Sequence, residues 1–248
     1  MALARFKDLC LDVSDVGRQG AFWAAALGLT PRAGASDPAV LDGATSEQRM
    51  WLDTVPEPRT AKNRIHLDVD TESVAVLEAL GASVLVPATL EQGWTVMADP
   101  EGGEFCAFVR SPERLEPYRL YEVVVDCADP QRVARWWGEV FGLPVGNDAD
   151  HGWWWLEIGE ADEDARRAGF PFRDLVFVPV PEPKTVKNRI HWDVQTPSVA
   201  ALVEAGATVL SEQPRWTVLA DPEGNEFCAF PQEPGGSSPR VSVASTQT

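Results

Sequence analysis

Residues 55–69 read VPEPRTAKNRIHLDV and residues 180–194 read VPEPKTVKNRIHWDV; downstream, WTVMADPEGGEFCAF at 94–108 returns as WTVLADPEGNEFCAF at 216–230. One structural unit is therefore written twice. Inside it Ile65, Leu67 and Val69 alternate with Arg64, His66 and Asp68, which is a strand with one apolar and one polar face. The prolines of VPEP remove backbone donors and separate this strand from what precedes it. After the strand, Val74, Leu77 and Leu80 recur at helical spacing up to Gly81, with Thr71 as the expected cap, and strands follow at Ser83–Val86, Trp94–Ala98 and Glu104–Val109.

The residues upstream follow the same plan. Phe6–Val13 alternates, Asp15 caps an apolar-periodic run through Phe22, Trp23 and Leu27, and Gly28 closes it. Short strands are expected near Ala39–Leu41 and Met50–Val55. In the second half Leu120–Cys127 is the matching strand, Asp129-Pro130 opens the matching helix and Gly142 ends it. Each half thus reads βαβββ twice. The expected boundaries are one domain over 1–111, a proline-bearing linker over 112–118, a second domain over 119–231 and a disordered tail over 232–248, with the main insertion between Gly159 and Pro171.

Composition narrows the function. The chain has 248 residues with 21 Lys and Arg against 38 Asp and Glu, a formal charge of −17, so nucleic acid and anionic membrane surfaces are not expected partners. The sequence has no run of eighteen apolar residues and no signal-like start, which points to the cytoplasm. Its four cysteines are scattered and form no CxxC pair, so reduced thiols are expected, with Cys106 and Cys228 as small buried hydrophobes.

Strands deliver alternate side chains to one face, so donors from three strands can converge on an ion. The first half offers Asp8, His66 and Glu104, and the second Glu122, His191 and Glu226. The competing reading is structural: a duplicated histidine can bond a carboxylate, and Glu104 can bond turn amides. Arg64 and Arg189 stand on the histidine's side, fit to grip a ligand carboxylate or to pair with Asp68 and Asp193. Of Trp153, Trp154 and Trp155, at least one must face a cavity or a partner.

The stretches DPQRVARWWGEVFGLP at 129–144, KNRIHWDV at 187–194 and WTVLADPEGNEFCAF at 216–230 resemble the glyoxalase-like domain of the vicinal oxygen chelate superfamily, which includes glyoxalase I, bleomycin-resistance proteins and extradiol dioxygenases. The resemblance covers 5–110 and 119–231. It implies an α+β fold of two glyoxalase-like domains, whose paired βαβββ modules form curved, mostly antiparallel mixed sheets around a cup. It implies a divalent Zn, Ni, Fe or Mn ion bound at positions matching Asp8, His66 and Glu104, and Glu122, His191 and Glu226, with Glu104 and Glu226 as catalytic carboxylates. The activity implied is a metal-dependent lyase, isomerase or dioxygenase acting on a small oxygen-rich molecule. The alternative is a non-catalytic drug-binding protein of the bleomycin-resistance type, with Arg64, Arg189, Trp136, Trp154 and Trp216 on the ligand. A monomer or a homodimer fits either reading.

Overall fold

The computed structural model describes residues 2–158 and 168–232; the expected tail and most of the 159–171 insertion lie outside the described residues. Four βαβββ modules follow one another. The first holds β1 (Arg5–Val13), α1 (Val16–Leu27), β2 (Thr30–Ser36), β3 (Ala39–Asp42) and β4 (Met50–Thr54). The second holds β5 (Ile65–Thr71), α2 (Val74–Ala79), β6 (Ser83–Val86), β7 (Thr95–Ala98) and β8 (Glu104–Val109). In the third are β9 (Leu120–Cys127), α3 (Pro130–Phe141), β10 (Val145–Asp148), β11 (Trp153–Leu156) and β12 (Asp174–Pro179). The fourth comprises β13 (Ile190–Thr196), α4 (Val199–Glu204), β14 (Thr208–Glu212), β15 (Thr217–Ala220) and β16 (Glu226–Pro231).

Local chemistry sets the element ends. Asp15 and Asp129 accept from the amides of Arg18 and Arg132, and Gly28 and Gly142 close α1 and α3 in the left-handed conformation. At Gly28 no other residue fits, since an added Cβ would meet the Pro117 carbonyl at 1.9 Å. Thr71 does not cap α2: Ser73 holds the cap position, and the Thr71 hydroxyl donates to the Ser73 carbonyl.

The modules pair across the halves. One eight-stranded sheet runs β14-β15-β16-β13-β1-β4-β3-β2, joining modules one and four; the other runs β10-β11-β12-β9-β5-β8-β7-β6, joining modules three and two. At each centre two strands meet antiparallel, β1 on β13 with Cys10 opposite His191, and β9 on β5 with Glu122 opposite Asp68. Parallel pairs flank them, β1 with β4 and β13 with β16, β9 with β12 and β5 with β8. Both sheets are open and mixed, and the fold is α+β.

One core joins the sheets. Phe22 and Trp23 of α1 meet Phe105 of β8, in the second sheet, edge to face. Trp137 of α3 meets Trp192 and Phe227, in the first sheet, in the same way. Each long helix lies on the strands of its own module and reaches the other sheet through these aromatics, so that both sheets share one core.

Candidate functional site

Strand alternation leaves the polar faces of the two sheets pointing away from this core. On the second sheet that face encloses a cavity of about 640 Å³, walled by Trp94, Phe108, Tyr121, Trp153 and Trp155. Trp94 stacks on Phe108 at 5.8 Å and meets Trp153 at 6.3 Å. Trp155 lies over Gly146, where a Cβ would come within 2.5 Å of the indole, so that glycine makes room for the wall. A larger cleft of about 870 Å³ opens beside the linker, and no histidine or cysteine is among the described residues that line it.

The cavity floor is polar. His66 Nε2 lies 3.5 Å from Asp126 Oδ1, and His66 Nδ1 lies 3.4 Å from Asp68 Oδ1 and 4.0 Å from Cys106 Sγ. Burial would lower the imidazole pKa, but bonds to Asp126 and Asp68 outweigh it and hold the ring well above its usual range. Burial lifts Glu122 to about 8, helped by the charges of Asp68 and Asp174, and lifts Asp174 to about 6. Asp68 is 5% exposed, and its Oδ1 faces the His66 ring as an ion-pair partner.

A family model described as a glyoxalase-like domain matches residues 8–108 and again 122–230. The chain belongs to this glyoxalase-like family. It is a tandem, two-domain member of the vicinal oxygen chelate superfamily. Glyoxalase I from Zea mays shares its fold with a TM-score of 0.63 at 17% identity, over 92% of each chain. A putative dioxygenase from Bacillus subtilis does so at 0.61 and 11% identity, over 94% of this chain and 87% of that one. No curated protein matches it in sequence. Among the described residues, no helix is long and apolar enough to cross a membrane.

In this glyoxalase-like chain the sheets regroup the candidate residues. Asp8 shares a sheet with His191 and Glu226, and Glu122 with His66 and Glu104. This corrects the grouping by halves, Asp8 with His66 and Glu104 and Glu122 with His191 and Glu226. The cause is the central pairing of β1 with β13 and β9 with β5.

Several of these carboxylates already hold cations. Both Glu104 oxygens accept from Arg59 at 3.1 Å, and one also takes the Asn63 amide. Glu226 accepts from Lys184 on one oxygen, at 2.7 Å, and from the Asn188 amide on the other, at 3.1 Å. Asp8 pairs with Lys7 and lies 3.8 Å from Arg49. A metal held through Glu104, Glu226 or Asp8 would have to displace a chain cation, so these donors do not fit an ion as they stand. Both glutamates instead brace the loop between VPEP and the histidine strand.

Among the described residues, the groups of three ligand-type side chains whose donor atoms lie within 4.8 Å of one another are His66–Asp68–Cys106 and Cys10–His191–Asp193. In the second group His191 stays neutral: burial and then Lys187 lower its pKa to about 4, and its Nδ1 has no partner.

The expected ligand residues are scattered. Arg64 donates to the Glu182 carbonyl and Arg189 to the Glu57 carbonyl, so each arginine grips the VPEP loop of the other half. Trp136 is buried on α3 with its indole N–H on the Ala205 carbonyl. Trp154 turns to the helix side, under Arg135. Trp216 stacks on Phe230 in the first sheet, as Trp94 does on Phe108 in the second. Asp68, Cys106, Trp153 and Trp155 carry the second-sheet site, although sequence reading gave them minor roles. The usable signal was alternation: His66 with Asp68, Glu104 with Cys106, and Trp153 with Trp155 each share a face.

Proposed function

We infer that the second-sheet cup binds one flat aromatic small molecule. The observation that carries this reading is the aromatic wall, with Trp94, Phe108, Tyr121, Trp153 and Trp155 around a space of about 640 Å³. That size suits a single small ligand, and ring stacking adds about 0.5–1.5 kcal/mol per aromatic pair beyond burial. The polar floor supplies donors and acceptors that would fix the ligand's orientation. This is the binding-protein alternative, placed in one cup.

A chelator-treated sample screened by tryptophan fluorescence against catechols, flat heteroaromatics and aromatic amines tests it. A saturable response is expected for at least one class, with a loss of roughly tenfold or more in affinity in Trp153→Ala. A panel that leaves the fluorescence unchanged sinks the reading. The second reading, a metal-dependent lyase, isomerase or dioxygenase, draws support from the His66–Asp68–Cys106 cluster on the same floor.

A further inference from the structure

Given the aromatic-binding reading of the second-sheet cup, on which this depends, we propose that its ligand carries an aliphatic ammonium group, with the ring among Trp94, Phe108 and Trp153 and the ammonium between the Phe108 face and Glu122. In the first sheet, repeat-equivalent residues already hold an ammonium, supplied by the chain itself. Lys7 Nζ stands 4.3 Å from the centre of the Phe230 ring, pairs with Asp8 and lies 3.6 Å from Asp193. Phe230, Asp8 and Asp193 correspond to Phe108, Glu122 and Asp68 of the second sheet. The strand registers agree: Asp8 lies opposite Asp193 as Glu122 lies opposite Asp68, and Phe230 beside Gln195 as Phe108 beside Asp70.

One residue separates the two arrangements. In β1 the register shifts between Phe6 and Asp8, and in β9 it shifts at the same place, between Leu120 and Glu122, so the residue before each carboxyl turns to the cup face. In the first sheet that residue is Lys7, which covers Phe230 with a cation. In the second it is Tyr121, which brings a ring instead, 5.4 Å from Phe108, and lines the cavity. The aromatic face and the carboxyl are kept, and the cation is missing.

The cations around the second cup are engaged by other carboxylates. Lys62 pairs with Asp126 at 2.7 Å, Arg59 with Glu104 at 3.1 Å and Arg173 with Asp174 at 3.6 Å, while His66 faces Asp68 at 3.4 Å. Among the described residues Glu122 pairs with no lysine or arginine, and its hydrogen-bonding neighbour is Tyr121. An ammonium set between Glu122 and the Phe108 face gains a charge-assisted hydrogen bond and a cation–π contact, both stronger where water is excluded. Burial favours the protonated carboxyl in the empty cup, so uptake of the ammonium releases that proton.

Calorimetric titration of the full chain, stripped with a chelator, tests this with benzene, naphthalene and indole compounds that each carry an aminoethyl, a hydroxyethyl or a carboxymethyl side chain. On at least one ring the aminoethyl compound is expected to bind about tenfold or more tighter than its hydroxyethyl counterpart, with the carboxymethyl compound weakest. Glu122→Gln is expected to erase that preference, weakening the aminoethyl compound about tenfold or more and the hydroxyethyl compound less than about twofold. Tyr121→Lys, which installs the first-sheet arrangement, is expected to weaken the aminoethyl compound in the same way, because the new side chain takes the place of its ammonium. Hydroxyethyl or carboxymethyl compounds that bind as tightly as the aminoethyl one overturn the ammonium assignment and leave the aromatic-binding reading standing. A series in which nothing binds overturns both. A preference that survives Glu122→Gln places the ammonium elsewhere and overturns the assignment too. Should Tyr121→Lys misfold, the Glu122→Gln titration still decides.

Discussion

Glu122 stands opposite Asp68 across the β9–β5 ladder, and burial with the charges of Asp68 and Asp174 lifts its carboxyl to about 8 from an ordinary value near 4.5. A raised acid pKa means that the fold favours the protonated form. Its stabilising effect is full below about pH 4.5 and is lost as pH rises through about 8. Glu122→Gln fixes the uncharged form. In metal-free protein the variant should match the wild type near pH 4 and exceed it at pH 9, by on the order of 1–3 kcal/mol after solvent screening. Denaturant unfolding across that range measures the gap. A gap that does not change with pH contradicts the environment described for Glu122.

At the scale of elements, much was legible because the signals are local. Asp15 and Gly28 bound α1 by cap chemistry that needs no tertiary information, and Glu104–Val109 and Leu120–Cys127 emerge with the expected limits. Thr71 was harder, because a hydroxyl two residues before the cap can serve the same turn by another bond. Alternation also put His66 and Asp68 on one face. It could not place Cys106 beside them, since contact between β5 and β8 spans about forty residues and depends on sheet order. For the same reason Trp154 was a poor choice: its neighbours in the strand, Trp153 and Trp155, turn to the cavity while it turns to the helices.

At the scale of the molecule, the partner of each central strand was not legible. β5 and β13 are almost the same sequence, so β1 and β9 present edges that either could complete, and local pattern favours neither. The choice goes with long-range packing: α1 and α3 lie on their own modules and also touch Phe105, and Trp192 and Phe227, of the opposite sheet, in the arrangement with β1 beside β13 and β9 beside β5. A fragment of residues 1–111 lacks both outside partners. Since its own β5 resembles β13, it is expected to associate as a dimer in which β1 of one copy pairs with β5 of the other, or else to aggregate through those edges. Light scattering after size-exclusion chromatography reads this directly, and a stable folded monomer contradicts the pairing.

The two sheets carry equivalent stacked pairs, Trp94 on Phe108 and Trp216 on Phe230, yet the ligand cup is assigned to one of them. Calorimetric titration of Trp94→Ala and Trp216→Ala, with whichever aromatic compound the fluorescence screen selects, compares the two cups in one molecule. The account predicts a loss of about tenfold or more in affinity for Trp94→Ala and less than about twofold for Trp216→Ala. Equal losses, or a larger loss at Trp216, would contradict it.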